Sequence, residues 1–400
     1  MRDIVYKFQF FTFALIMMIF AVQYLLLMSD RGMAQAPALV ILSISQFLMM
    51  FAMVLIGSLE KKIKKQNKNK IIQISFIIRT LSVLAMFFTT DIFIFTSLFL
   101  IFQICTAASY LFEGMIAQWS FNKQKDFGSF RAFFSVGIAL ATFIATAIVN
   151  ITNDFNNLLL FATFLLILNT IGSFVYPVEV LEETNEEIKE NIHLPIKFRF
   201  LLFLGALTMA ISNSYVVHLN THYMDVFGLD IATALTFGAF AMFIAAFISE
   251  GGAFFLSNEF IKKFGSKNII FIGLLLGILR WAFVLISPNE FVFTSTYLFH
   301  GFVFVFIYVG SLSYIKEYAG NEFTDKMVME FTVMQILLGI GITQTINIIL
   351  ENFSYQQIIN GIETTAFLGT GYLAVMWLYI LISFIVMVIY YIYFMRKNTH

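Results

Sequence analysis

The chain has 400 residues, of which 60% are hydrophobic and 12% are charged, and its mean hydropathy is +0.87. Soluble proteins carry about 25% charged residues, so this composition excludes a water-soluble protein. The 24 basic residues balance the 24 acidic ones, which excludes nucleic acid as a partner, and the single cysteine excludes a disulfide framework.

The apolar residues form stretches long enough to cross a bilayer, for which a helix needs about 20 residues. We therefore predict an all-α membrane protein in contact with the lipid bilayer. The four prolines lie at the edges of these stretches or between them, as regular helices require. The twelve predicted spans are 8–29, 37–59, 71–89, 92–118, 129–150, 157–177, 200–222, 231–257, 268–287, 291–317, 327–351 and 365–395.

The basic residues predict the orientation, because cytoplasmic loops are enriched in Lys and Arg. With a cytoplasmic N-terminus, 20 of the 24 basic residues lie in the inner segments, and only Arg31 lies in an outer loop. The other three fall within spans or at their ends. We expect a multi-pass protein of the plasma membrane with both termini in the cytoplasm.

The two halves of the chain resemble each other. The loop Glu60-Lys-Lys-Ile-Lys-Lys precedes a span that contains Arg79, and the loop Glu259-Phe-Ile-Lys-Lys-Phe-Gly precedes a span that contains Arg280, 201 residues later. We predict two six-helix bundles, 1–178 and 200–400, joined by an acidic cytoplasmic linker, 179–199.

Ionisable groups inside spans are costly, so each one is a functional candidate. Glu113 in the fourth span and Arg131 at the start of the fifth are expected at similar depth on antiparallel helices. Such a carboxylate and guanidinium can pair and can bind the polar groups of a solute. Alternatively, Glu113 reaches the inner surface and Arg131 snorkels to lipid phosphates.

Arg280 and His300 form a second predicted pair. A rise of 1.5 Å per residue places both about 12–14 Å below the outer end of neighbouring spans. An imidazole beside a fixed cation suits a proton site, and the alternative is a structural tie between two helices. Arg79, the counterpart of Arg280 in the first half, has no evident histidine partner and is expected to be structural.

Glu250 is the remaining carboxylate well inside a span. It lies in Ser249-Glu250-Gly251-Gly252, where the glycines allow close helix approach. It can carry a proton or hydrogen-bond a solute. Glu330 lies within one turn of a loop and is expected to be exposed.

The seventh span carries several polar residues. His218 and His222 have the i, i+4 spacing that can hold zinc, but we expect histidines at the outer membrane interface and no metal. Asn213 and Asn220 are candidates for lining a solute cavity. The sequence contains neither a Gly-rich phosphate loop nor a nucleophile elbow, so we expect no enzymatic activity and no cofactor.

These residues resemble a known family. The run Asp126-Phe-Gly-Ser-Phe-Arg131, with Glu113 eighteen positions before the arginine, resembles the lactose permease branch of the major facilitator superfamily. The segments Glu250-Gly-Gly-Ala-Phe-Phe-Leu-Ser-Asn258, Leu279-Arg-Trp281 and His300-Gly-Phe-Val-Phe resemble the related 3-phenylpropionate permeases.

The resemblance implies two six-helix halves that expose a solute site alternately to each side. It also implies proton-coupled uptake of a sugar, a nucleoside or an aromatic acid. The chain departs from the lactose permease pattern at Ile138, where that family has a sugar-stacking tryptophan, and at Val303, where it has the proton-carrying carboxylate. Galactosides are therefore not expected, and Glu250 becomes the first candidate for the proton site.

Our leading hypothesis is a monomeric symporter of a small organic solute and a proton. Glu113, Arg131, Asn213 and Asn220 would bind the solute, while Glu250, His300 and Arg280 would couple the proton. A second hypothesis is an exporter of amphipathic compounds by proton antiport, since a Phe- and Met-rich chain suits a permissive cavity. A third is a membrane sensor that transports nothing.

Overall fold

A computed structural model of the protein describes residues 1–60, 65–123, 127–179, 194–319, 324–359 and 362–396. The chain forms two compact units, Met1–Glu190 and Asn191–His400. Most of the predicted acidic linker, residues 180–193, lies outside the described part of the chain.

The first unit consists of long helices over its described residues. They are long because most of their positions are apolar, and in a bilayer only a helix satisfies all backbone polar groups within one segment. The helices are α1 (Arg2–Ser29), α2 (Gln35–Glu60), α3 (Lys65–Phe88), α4 (Ile92–Asn122), α5 (Phe127–Thr152) and α6 (Asn156–Val175).

The second unit has more interruptions. Its helices are α7 (Ile196–Ser214), α8 (Leu219–Phe227), α9 (Ile231–Phe243), α10 (Gly251–Phe264), α11 (Ser266–Leu285), α12 (Glu290–Ser295), α13 (Tyr297–Ala319), α14 (Thr324–Glu351) and α15 (Gly369–Tyr390). A short 3₁₀ turn, Val216–His218, joins α7 to α8. A π-helical segment, Ile244–Glu250, joins α9 to α10, and a second, Tyr391–Met395, extends α15.

Twelve segments of the described chain are long and apolar enough to cross a membrane, which confirms the predicted all-α membrane fold. The seventh span comprises α7, the 3₁₀ turn and α8 (Ile196–Phe227), and the tenth comprises α12 and most of α13 (Glu290–Tyr318). The first helix begins at Arg2, before the predicted start at residue 8.

The core of the first unit is built from aromatic rings and close helix contacts. Tyr6 and Trp119 meet edge to face, with ring centroids 5.1 Å apart, and the Tyr6 hydroxyl donates to the Pro177 carbonyl at 3.2 Å. Helices α1 and α5 touch at Gly137, where a Cβ atom would lie 2.4 Å from the Phe11 carbonyl oxygen. A larger residue at position 137 would force these helices apart.

The loop before the twelfth span contains an unpredicted β-hairpin. Strands β1 (Ser354–Ile359) and β2 (Ile362–Phe367) pair antiparallel, with Ser354 opposite Phe367 and Ile359 opposite Ile362. The predicted start of the twelfth span at residue 365 is therefore wrong, since α15 begins at Gly369. The apolar residues at the end of β2 extend the hydropathy pattern of the helix, which explains the error.

Glu330 was predicted to be exposed, and the structure shows that it is not. Its carboxylate accepts two hydrogen bonds from Arg199, at 3.0 and 3.1 Å, and its side chain is only 17% exposed. The pair ties α7 to α14. A bidentate arginine–carboxylate pair has a defined geometry, which makes it stronger than an ordinary surface pair.

We expect this ion pair to contribute about 1 kcal/mol to the coupling of α7 and α14, since Arg199 remains 40% exposed and solvent weakens the pair. A double-mutant cycle with Arg199→Gln and Glu330→Gln, followed by thermal unfolding in detergent, measures it. The coupling should shrink in 1 M salt. Additive single effects would show that the pair is not formed in solution.

Asp230 begins α9 as its N-cap. Its carboxylate accepts hydrogen bonds from the Thr233 hydroxyl at 2.7 Å and from the Ala232 and Thr233 amides at 3.0 Å. These bonds, chiefly those from Thr233, favour the charged form and lower the pKa of Asp230.

Asp230 has a lower pKa in the folded protein than in the unfolded chain. Its charged form therefore stabilises the fold at pH values above the pKa of the unfolded chain, and this stabilisation is lost as the pH falls through the pKa of the folded protein. We expect Asp230→Ala to lower the unfolding temperature by a few degrees at pH 7 and to have no effect once the carboxyl is protonated. Unfolding curves of the two proteins at pH 7 and at strongly acidic pH check this. A difference independent of pH would contradict it.

Candidate functional site

Arg280 lies in the interior of the second unit. It projects from α11 and is 1% exposed. Its guanidinium carbon lies 4.4 Å from the centroid of the Trp281 ring and 5.0 Å from that of the Tyr297 ring. Tyr215 of the seventh span and Tyr379 of the twelfth lie close enough to interact with it electrostatically. The cation is thus held mainly by ring faces, which attract it through their quadrupoles.

The guanidinium has no carboxylate partner among the described residues. No Asp or Glu oxygen of the described residues lies within 4 Å of it, and its Nε, Nη1 and Nη2 atoms have no well-aligned hydrogen-bond partner there. The Tyr297 hydroxyl, which also has no well-aligned partner among them, lies beside it. A buried cation without a counter-charge is costly, so its retention inside a span points to function.

His300 joins the same cluster. It is 8% exposed, its ring stacks on Tyr297 with centroids 6.1 Å apart, and it lies within electrostatic reach of Arg280. Its Nδ1 atom has no hydrogen-bond partner in the described chain. The structure therefore brings together Arg280 and His300, which the sequence placed at similar depth, and both contact the Tyr297 ring.

Glu250 approaches this cluster from the eighth span. It ends the π-helical segment and is half-buried. Its backbone nitrogen lies where a side chain on Gly301 would be, 2.2 Å from the Cβ position. Since Gly301 follows His300 directly, the backbone of Glu250 touches the tenth span beside His300. The backbones of two predicted proton-coupling residues, Glu250 and His300, are therefore close together at this helix contact.

The predicted solute-binding pair is only partly described. Glu113 lies in α4, half-buried between the core residues Phe112 and Met115. The backbone of Arg131 lies in α5, but its side chain is outside the described part of the structure. The pairing of Glu113 with Arg131 stays a prediction.

The two candidate asparagines differ in environment. Asn213 is exposed near the end of α7, whereas Asn220 in α8 is 4% exposed. The Asn220 side-chain oxygen lies 2.3 Å from the position that a Cβ on Gly238 would take, so it fills the contact between α8 and α9. Their roles in solute binding stay predictions.

His218 and His222 are expected at the outer membrane interface, and their depth in the bilayer stays a prediction. Both are buried, with 0% and 4% exposure, because the seventh span continues through α8 to Phe227. The His222 ring lies flat on Phe293 at 4.3 Å, and its Nδ1 atom is 2.5 Å from the Tyr215 hydroxyl. Within the described ranges, no group of three residues could hold a metal ion.

Tyrosines are the site residues that sequence reasoning missed. Tyr215 links His222 to the surroundings of Arg280, and Tyr297 contacts both Arg280 and His300. Tyr372 of the twelfth span donates to Asp225 at 2.9 Å. A buried tyrosine hydroxyl needs a polar partner. The tyrosines within the predicted spans were therefore the sequence feature that could have indicated a polar site.

Arg79 is the counterpart of Arg280 in the first unit. It is completely buried, donates to the Ser109 hydroxyl at 2.6 Å and lies 5.0 Å from the Phe102 ring centroid. No carboxylate of the described residues lies within 4 Å of it. Unlike Arg280, it has no imidazole beside it within the part of the chain that the structure describes.

The cluster in the second unit therefore combines a fixed cation, an imidazole and several hydroxyl groups, with a carboxylate on the adjoining span. These groups can bind and pass a proton, and they can donate hydrogen bonds to a polar ligand. The described residues and the fold define a multi-pass membrane transporter rather than an enzyme.

Comparison with known proteins identifies the family. The sequence profile of the Major Facilitator Superfamily matches residues 8–343, and the chain belongs to this family. Among curated proteins, no relative with significant sequence similarity is found. The family is shown, while the lactose permease and 3-phenylpropionate permease branch stays a prediction.

Solved structures share the fold. The nucleoside transporter NupG matches with a TM-score of 0.73 at 14% identity, over 99% of this chain and 100% of that one. The POT family transporter PepTSo gives a TM-score of 0.73 at 11% identity, over 98% and 96%. A bacterial homolog to the human lysosomal transporter Spinster gives 0.66 at 13% identity, over 98% and 95%.

Proposed function

We propose that this protein is a secondary active transporter that imports a small organic solute together with a proton. The solute is a sugar, a nucleoside or an aromatic acid, and alternating access moves it across the plasma membrane, with both termini in the cytoplasm. Family membership and the transporter fold support the assignment as a membrane transporter of a small solute. Solved structures of a nucleoside transporter and of a peptide transporter resemble this chain, which supports a small organic cargo.

One observation carries the proton-coupling part. Arg280, His300 and Glu250 come from three different spans and meet in one region of the second unit. A proton carrier needs an ionisable group whose charge state responds to its surroundings. A fixed cation beside an imidazole, with a half-buried glutamate on the span that packs against it, supplies candidates for such a group. We assign proton exchange to Glu250, and coupling to His300 and Arg280.

We assign solute binding to Glu113, Arg131, Asn213 and Asn220. Glu113 is half-buried and Asn213 is exposed, so both have surface available for a ligand. The buried Asn220 holds α8 against α9 and would act on the solute only after those helices shift. A carboxylate and amide groups together recognise hydroxyl and amino groups, which sugars and nucleosides carry.

Proton-coupled import is tested by following the pH of a weakly buffered suspension of de-energised cells that express the protein. We expect the medium to become alkaline when one member of a panel of sugars, nucleosides and aromatic acids is added. Cells carrying the empty vector are the control. Acidification of the medium would instead indicate antiport and export. The absence of any response, together with no flux in reconstituted vesicles, would favour a sensor.

A further inference from the structure

The eighth and tenth spans make a close backbone contact at Gly301. A Cβ atom there would lie 2.2 Å from the Glu250 nitrogen, 2.6 Å from the Ala245 carbonyl oxygen and 2.6 Å from the Ser249 hydroxyl oxygen. Two of these three atoms are backbone, which cannot move aside as a flexible side chain can. Only glycine therefore allows this contact, and the contact lies between Glu250 and His300.

Ser249 occupies an unusual place in this contact. Its hydroxyl donates to the Leu298 carbonyl and accepts from the Phe302 amide at 2.9 Å. In a regular α-helix the amide of residue i bonds to the carbonyl of residue i−4, so these two backbone groups are natural partners of each other. The hydroxyl of the eighth span thus bonds to two backbone groups of the tenth span that lie one helical turn apart.

The eighth span is distorted at the same point. Ser249 is the sixth residue of the π-helical segment Ile244–Glu250, which carries an extra residue per turn compared with an α-helix. The extra residue changes the direction in which later side chains project. Helices often bend at a π-helical segment or where a side chain bonds to backbone groups of the helix. Here the eighth span has the π-helical segment, and the tenth span receives the Ser249 hydroxyl.

We propose that Ser249 is a positioning residue that joins the eighth and tenth spans, so that Glu250 and His300 change environment together. This inference rests on the proposed proton-coupled transport and adds to it a residue that touches neither solute nor proton. We name the contact of Ser249 with Leu298, Gly301 and Phe302 the serine joint.

The serine joint has two arrangements that leave few polar groups without partners. When it is closed, the hydroxyl satisfies both Leu298 and Phe302. When it is open, these two groups can bond to each other in the ordinary α-helical way. The Ser249 hydroxyl can then bond to a carbonyl of its own helix, as serines within helices often do. Neither arrangement leaves several buried polar groups without a hydrogen-bond partner, so the joint can open and close at a low cost in free energy.

Thiol labelling tests the serine joint without any solute. Cys105 is the single cysteine of the chain, so Cys105→Ser provides a background free of thiols. Reporter thiols are placed with Glu250→Cys, His300→Cys and, as a control on the seventh span, Asn213→Cys. Each reporter is combined with Ser249→Ala or Gly301→Ala, and alkylation by N-ethylmaleimide is timed in detergent.

We expect either joint variant to speed labelling at positions 250 and 300 by about fivefold, the effect of losing about 1 kcal/mol of net hydrogen bonding. Labelling at position 213 should not change. Ser257→Ala is the matched control, since among the described residues the Ser257 hydroxyl bonds to Phe254 of its own helix, and it should leave all three rates unchanged.

Combining Ser249→Ala with Gly301→Ala should give the same rates as Gly301→Ala alone, since both changes open one joint. The proposal would be refuted if the increases in labelling rate caused by the two substitutions multiplied in the double variant. It would also be refuted if labelling became faster at position 250 but not at position 300. Ser249→Ala removes a single oxygen and carries the test even if Gly301→Ala does not fold. Labelling requires neither solute nor proton gradient, so its outcome is independent of the alkalinisation experiment.

Discussion

Replacing Arg280 with methionine is expected to raise the unfolding temperature of the protein and to abolish solute accumulation. Methionine has a similar length and no charge, so it can fill the space between the rings of Trp281 and Tyr297. It removes a guanidinium that is 1% exposed and has no carboxylate within 4 Å among the described residues. The ring contacts and the Tyr297 hydroxyl offset only part of the cost of burying this charge, so its removal should gain about 2 kcal/mol.

The loss of accumulation has a different cause. If Arg280 sets the charge environment of His300, its removal changes how the site exchanges protons and uncouples solute movement from the gradient. Thermal unfolding in detergent and uptake by energised cells measure the two effects separately. A stability gain with a loss of accumulation is the signature of a residue retained for function.

Arg79→Met is the matched control, because Arg79 is equally buried in the first unit but donates a hydrogen bond to Ser109. Losing that bond offsets part of the gain in stability, and accumulation should persist. If Arg280→Met destabilised the protein and left accumulation intact, Arg280 would be a structural tie instead.

The sequence predicted the spans well because the bilayer imposes a simple rule of length and polarity. It did not predict the hairpin Ser354–Phe367, although Asn360-Gly361 between its strands is a strong two-residue turn signal. The apolar residues of the second strand were read as the start of a helix, since hydropathy alone does not separate strand from span. It also missed the Arg199–Glu330 pair, because this tie joins the seventh and eleventh spans.

The candidate site shows the same limit. Arg280 and His300 were expected together because consecutive spans are antiparallel and a constant rise per residue fixes their depths. The approach of Glu250 to His300 depends on packing between the eighth and tenth spans, which are not consecutive, and no spacing rule gives it. The burial of His218 and His222 was not predicted, because the seventh span continues, through a 3₁₀ turn, beyond its predicted end.

Glu250→Gln is expected to abolish solute-dependent proton uptake and to remove the pH dependence of transport. Glutamine keeps the shape and hydrogen-bonding capacity of the side chain but cannot take up or release a proton. The substitution should leave the serine joint intact, because the joint is formed by Ser249 with Leu298, Gly301 and Phe302, and Glu250 adds only its backbone nitrogen near Gly301. We expect the initial rate of alkalinisation to fall about 100-fold or more, which is the scale of losing a proton-transfer group.

Two carboxylates provide controls for this prediction. Glu259 lies nine residues later, is 75% exposed and pairs with Lys262, so Glu259→Gln should leave alkalinisation unchanged. Glu113→Gln should weaken the apparent affinity for solute without changing the number of protons moved with each solute molecule. The decisive measurement is the proton-to-solute ratio in energised vesicles. A normal ratio in Glu250→Gln would move the proton site elsewhere, with His300 as the next residue to test, because it lies beside Gly301 and within electrostatic reach of Arg280.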